Sequence, residues 1–220
     1  MDETLKFFEE NEFVAVVRTG SDEDAEEVLK AVTAGGAKIL EITMSIPQAT
    51  RLIESWSKKE GLLVGAGTVT DGEMAQRAIN AGAKFLDSHY TDREVISVGK
   101  NNGTFLIQGA VTPSEAVNAW QQGADLIKIY PAEAFGGPRY LKSLKGPLPF
   151  IKLMASGEIT LDDAFDYLKY ACGVAITQPI LDKALIRAHN WQEITDRVHQ
   201  LTQKLETLKV PKASSVSEKI

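Results

Sequence analysis

The sequence predicts a single-domain α/β fold, a closed (β/α)₈ or TIM barrel. Three observations carry that reading. Eight short apolar runs recur about 20 to 25 residues apart, and each is followed by a segment with helical patterning. The whole set fits within 220 residues, which suits eight βα units around one core. A doubly wound open sheet also alternates strand and helix, but the dinucleotide glycine fingerprint after the first strand is absent.

The predicted strands are FVAVVR (13 to 18), AGGAKILEI (34 to 42), LLVGAG (62 to 67), NAGAKFLDS (80 to 88), TFLIQG (104 to 109), QQGADLIKI (121 to 129), FIKLMAS (150 to 156) and ACGVAITQP (171 to 179), the even-numbered ones written with their leading glycine signals. Helix starts lie between them. Ser21 precedes DEDAEEVLKAV, Thr70 or Asp71 precedes GEMAQRAINA, and Thr91 precedes DREVISVGK. Thr112 with Pro113 opens SEAVNAW, and Thr160 opens LDDAFDYLKYA. A closing amphipathic helix is expected over 190 to 208, with Trp191, Ile194, Val198, Leu201 and Leu205 at helical spacing. The barrel then covers 1 to 208, and 209 to 220 read as a flexible C-terminal tail.

Composition excludes several functions. A net charge of −6 argues against nucleic acid as a partner, since phosphate neutralisation needs a basic face. No run is long and apolar enough for a membrane span, and the acidic MDETLKFFEENE start lacks the marks of a signal peptide. The lone Cys172 cannot form an internal disulfide, which fits the cytoplasm.

Four strands follow a glycine signal. Counting five residues from Gly36, Gly82, Gly123 and Gly173 reaches Glu41, Asp87, Lys128 and Gln178, all polar in apolar surroundings. Equal offsets imply equal depth and one face. Interior layers of such a barrel come from alternate strands, so these four residues are expected to form one polar layer near the carboxyl ends of the strands.

A buried lysine is costly, and it is either paired with a carboxylate or made neutral. A desolvated amine suits Schiff-base chemistry: it attacks a ketone carbon, and the iminium accepts electrons from an adjacent C–C bond while a neighbouring carboxylate moves protons. A structural ion pair of Lys128 with Glu41 or Asp87 uses the same residues.

The segments EFVAVVR, AGGAKILEIT, VGAGTV (64 to 69), GAVTPSEA (109 to 116) and LIKIYPAEAFGG (126 to 137), in this order, resemble the class I 2-keto-3-deoxy-6-phosphogluconate (KDPG) and 4-hydroxy-2-oxoglutarate (KHG) aldolase family, over about residues 5 to 205. The resemblance implies a (β/α)₈ homotrimer with no cofactor and no metal. It also implies Lys128 as the Schiff-base lysine for pyruvate, Glu41 as general acid and base, Thr68 as a substrate contact and Arg18 as the carboxylate anchor. A guanidinium grips a carboxylate through two parallel bonds.

Departures from the family concern substrate. Glycine-rich phosphate segments are replaced by ASGEI (155 to 159) and AITQPIL (175 to 181), so Glu158 sets a negative charge and Pro179 removes a backbone donor where phosphate is held. Ser156 takes a family threonine's place, and Gln178 offers an amide. DSHYT (87 to 91) replaces a Ser-Pro segment, adding Asp87 to the pocket. His89 reads as a surface loop residue rather than a metal ligand, and Trp56 and Trp120 as packing residues. The expected function is cleavage of an unphosphorylated 4-hydroxy-2-oxo acid to pyruvate and an aldehyde. The alternatives are a decarboxylase or other lyase of a 2-oxo acid using the same lysine, or a non-catalytic barrel.

Overall fold

A computed structural model describes residues 2–178 and 180–207. Eight parallel strands close in chain order: β1 (Phe13–Val17), β2 (Ile39–Thr43), β3 (Leu63–Gly67), β4 (Phe85–Ser88), β5 (Phe105–Ala110), β6 (Leu126–Ile129), β7 (Leu153–Ser156) and β8 (Gly173–Ile176). The ring closes through Val14 of β1 beside Ala175 of β8. The expected tail, 209 to 220, and Pro179 lie outside the described residues.

Helices cover the barrel wall and its base. They are α1 (Asp2–Asn11), α2 (Asp22–Ala34), α3 (Ala49–Trp56), α4 (Gly72–Asn80), α5 (Arg93–Asn101), α6 (Pro113–Gln122), α7 (Pro138–Lys145), α8 (Ala164–Leu168), α9 (Lys183–Arg187) and α10 (Trp191–Thr207). Ser21 caps α2 as expected, and Thr112 with Glu115 forms a capping box ahead of Pro113 in α6. Asp71 caps α4, accepting from Met74 N at 2.7 Å. The cap of α5 is Asp92, not Thr91, because its carboxylate accepts from both Glu94 N and Val95 N. Thr160 bonds Asp163 instead of opening a long helix, and α8 has only five residues.

The closing helix is as expected, with Ile194, Val198, Leu201 and Leu205 buried. It packs on α2 so closely that a Cβ at Gly35 would sit 2.6 Å from Val198 Cβ. Trp56 is buried and donates to Glu26 at 3.0 Å. Trp120, expected to be a packing residue, is 44% exposed and tilts over Phe150. Among the described residues no helix is long and apolar enough to cross a membrane.

Inside the barrel the even strands supply two levels. Ile39, Phe85 and Leu126 form the lower one, and two residues further along lie Glu41, Asp87 and Lys128. The fourth place on this upper level belongs to Ala175, not Gln178. Gly36, Gly82 and Gly123 hold φ of 101°, 96° and 108° in turns, and their strands begin three residues later. Gly173 is itself the first residue of β8, so the same count overshoots and leaves Gln178 two residues beyond the strand.

The odd strands make room for these side chains. At Gly65 a Cβ would collide with the Phe85 ring, and at Gly67 it would fall on the Glu41 carboxylate. Below the lower level α1, a helix not anticipated from the sequence, inserts Phe8, which is fully buried. Its ring stacks on Phe105 at 5.5 Å and meets Phe85 edge-on at 5.3 Å. Phe8→Ala is expected to destabilise the fold by about 3–5 kcal/mol through the lost contacts and the cavity left at the barrel floor, as read by urea unfolding.

Candidate active site

The upper level opens onto a pocket of about 400 Å³ at the carboxyl ends of the strands. Lys128, Glu41 and Asp87 are only 1%, 2% and 0% exposed. Each is the third residue of its strand, which turns it inward by the period of two. Lys128 Nζ donates to Asp87 Oδ1 in a fully buried ion pair. The Tyr130 ring lies over the same ammonium, 5.8 Å from Nζ to centroid.

Arg18 and Thr68 stand on the rim, with Arg18 Nη2 donating to Thr68 Oγ1 at 2.8 Å. Thr68 holds φ of 56°, in the left-handed region that a β-branched residue seldom occupies. Backbone strain of this kind is common where a site over-determines its backbone. Ser156, at the end of β7, is half-buried on the wall. Six of the seven sequence-derived site residues thus line the pocket, and Asp87 lies beneath it. Gln178 reaches only the rim, with its amide donating to Leu181 O at 3.0 Å.

The structure adds residues that the sequence reading passed over. His89 is no surface loop residue: it lines the pocket and meets Tyr130 edge-on at 4.6 Å. Its loop is pinned by Asp92 N donating to Gln108 Oε1 at 2.9 Å and by Tyr90 Oη donating to Thr70 O at 2.9 Å. A signal for it existed. Arg18, Thr68, His89, Tyr130 and Thr177 are each the first residue after a strand, and all five line the pocket. Glu133, in the short 3₁₀ turn after β6, also lines it, and its Oε2 is buried against Gly157 without a hydrogen-bond partner.

Burial and charge set the protonation of the floor. Desolvation, and then the negative charge of Asp87, push the Glu41 carboxyl up to about 8, although Lys128 and Arg18 oppose the rise. Burial raises Asp87 too, while Lys128 draws it back. His89 is driven down to about 4 by burial and then by Lys128 and Arg18, so its imidazole is neutral at pH 7. Among the described residues no group of three His, Cys, Asp or Glu is placed to hold a metal ion.

These shifts have opposite signs in stability. Between its ordinary value and about 8 the folded chain binds a proton at Glu41 that the unfolded chain has lost, so stability falls as pH rises through that window. At His89 the unfolded chain binds more protons between about 4 and 6.5, so stability rises there and is flat above. From pH 6.5 to 8 the Glu41 effect therefore stands clear of His89. The melting temperature of the native chain is expected to drop across that range, and Glu41→Gln should remove much of the drop in calorimetry.

A family model for KDPG and KHG aldolase matches residues 4–197. The 2-dehydro-3-deoxy-phosphogluconate aldolase of Pseudomonas aeruginosa is 29% identical over 187 residues, which is 84% of this chain and 85% of that one. The KHG/KDPG aldolase of Escherichia coli is 31% identical over 156 residues, 70% of this chain and 73% of its own. The crystal structure of the KDPG aldolase from Legionella pneumophila, with pyruvate captured at low pH as a covalent carbinolamine intermediate, has a TM-score of 0.81 at 28% identity and covers 90% of this chain and 97% of that one. With an eight-stranded barrel, a buried lysine at its mouth and a match that runs through every strand, the chain belongs to the KDPG and KHG aldolase family of lyases.

Proposed function

We propose that the chain is a class I aldolase that cleaves a 4-hydroxy-2-oxo acid to pyruvate and an aldehyde through a Schiff base on Lys128. The observation that carries this reading is the buried amine beside a raised carboxyl at the floor of a pocket whose rim bears Arg18. Lys128 Nζ attacks the C2 ketone, and loss of water leaves an iminium. Glu41 then takes the proton of the C4 hydroxyl, the C3–C4 bond breaks, and its electrons pass into the iminium to give an enamine and a free aldehyde. Protonation at C3 and hydrolysis release pyruvate. A carboxyl that titrates near 8 suits both directions of proton transfer close to neutral pH. Arg18, held by Thr68, anchors the substrate carboxylate, and Ser156 adds a hydroxyl on the wall.

The favoured substrate is unphosphorylated, such as KHG. A phosphate needs free backbone N–H groups at a helix start. Beyond β8 the Leu181 amide is spent on Thr177 O at 2.7 Å, and Asp182 caps α9 at Ala184 N, 2.6 Å away. The exposed Glu158 beyond β7 and the half-buried Glu133 beyond β6 put negative charge on the wall where the family places phosphate. The expected homotrimer draws support from the exposed Trp120 and Phe150 pair, whose rings lie 4.8 Å apart on the outer surface. A cytoplasmic setting rests on the free thiol of Cys172.

Incubation with pyruvate and borohydride should add one reduced pyruvate to the intact mass, and Lys128→Ala should abolish the adduct. No adduct in the native chain would mean that Lys128 is a structural ion-pair partner. In steady-state cleavage assays kcat/KM for KHG should exceed that for KDPG, with Glu41→Gln lowering kcat on KHG by about 10²–10⁴-fold. Equal or better turnover of KDPG would show that the mouth still accepts phosphate.

A further inference from the structure

Asp87 has no part in the chemistry above, yet it touches the reacting nitrogen. Its Oδ1 accepts from Lys128 Nζ, while its Oδ2 is buried without a partner. An ionised oxygen stranded in this way is expensive. The Asp87 and Glu41 carboxyls share the upper level of the barrel, and each alters the other's affinity for protons. Two ionised carboxylates cannot hydrogen-bond, but with one proton between them they can, and the stranded oxygen is then accounted for. Lys128, Asp87 and Glu41 form a row from β6 through β4 to β2, and only Lys128 and Glu41 meet the pocket.

We infer that Asp87 is a catalytic proton acceptor, taking the ammonium proton from Lys128 and relaying it through Glu41 to the hydroxyl that leaves as water. The inference rests on the Schiff-base reading given above. In the first step Nζ loses a proton to Oδ1, which frees its lone pair for the ketone carbon. The C=O π bond becomes the carbinolamine hydroxyl as a second nitrogen proton moves to that oxygen. Glu41 then protonates the hydroxyl, the C–O bond breaks, and water departs with both its electrons. Glu41 is recharged by the proton held on Asp87. The ammonium began with three protons; two leave in the water and one stays on the iminium, whose positive charge faces the Asp87 carboxylate as the ammonium did. The same shared proton rests on Asp87 when Glu41 must act as base.

Four groups bear on the pH response of this row: Glu41 from β2, Lys128 from β6, and Arg18 and His89 above it. His89 is neutral at pH 7, so between about pH 6 and 9 the response belongs to the row itself. The inference differs from a static ion pair in its prediction for the removal of Asp87. A static partner only holds the lysine back, and its loss would speed attack. A relay is needed for attack, and its loss slows it.

The test is the rate of pyruvate trapping by cyanoborohydride, followed by intact mass from about pH 6 to 9, in the native chain, Asp87→Asn and Asp87→Glu. Asp87→Asn should trap at least about tenfold more slowly at pH 7 and gain on the native chain as pH rises, when solvent base replaces the carboxylate. Asp87→Glu should recover part of the rate. If Asp87→Asn does not fold, Asp87→Ser leaves room for a water and is read in the same way. Trapping by Asp87→Asn as fast as the native chain or faster, with an unchanged pH profile, overturns the inference alone. A native chain that never traps pyruvate overturns it together with the Schiff-base reading.

Discussion

Three ionisable side chains removed from water on one level of the barrel, Lys128, Asp87 and Glu41, constrain what surrounds them. A lone buried charge here would cost several kcal/mol, and breaking such a pair by removing one partner typically costs about 3–5 kcal/mol. The level is tolerable because the ammonium meets a carboxylate and the second carboxyl is pushed toward its neutral form. The fold holds it by geometry. Alternate strands place the third residue of β2, β4 and β6 at one height, and Gly67 leaves open the space that the Glu41 carboxylate occupies. Any side chain at Gly67 would drive Glu41 out of that level.

Above the charged level, the residues one step past the strands decide what enters. Arg18 and Thr68 form one hydrogen-bonded side, and His89 with Tyr130 forms an aromatic side. Glu133 and Glu158 make the part near β7 acidic. The pocket thus joins a cationic edge at Arg18 to an acidic edge near β7. The loop that carries His89 is tied to Gln108 of β5 through the Asp92 amide, so the segment DSHYT is held to the barrel wall.

The barrel was legible because its signal is repeated: eight apolar runs, helix caps such as Ser21 and Thr112, and glycine turns at a constant distance from three strands. Lys128, Glu41 and Asp87 were legible because polar residues in buried strands break the pattern and share one count. That count failed at Gln178 because Gly173 lies in a strand rather than in a turn, and nothing in the local sequence distinguishes those two uses of glycine. His89 was misplaced since a loop histidine reads as exposed until its loop is seen folded inward over Gly109, where a Cβ would strike the His89 backbone. The helix α1 was missed because its short acidic stretch carries only a few apolar residues. Its purpose, the insertion of Phe8, depends on strands nearly a hundred residues away.

The insertion of Phe8 also bears on the order of events at the other end of the barrel. With Phe8, Phe85 and Phe105 filling its base, the interior is a blind well, and the pocket mouth is the route for everything that enters or leaves. For the proposed cleavage, the fragment nearer the mouth is the free one, and the fragment on Lys128 is both deeper and covalently held. Aldehyde must therefore depart first, and the water that hydrolyses the remaining iminium arrives through the space the aldehyde has vacated. In the synthetic direction the same well requires pyruvate to load before its partner. A plug of three rings thus sets a compulsory order on a reaction whose atoms it never touches.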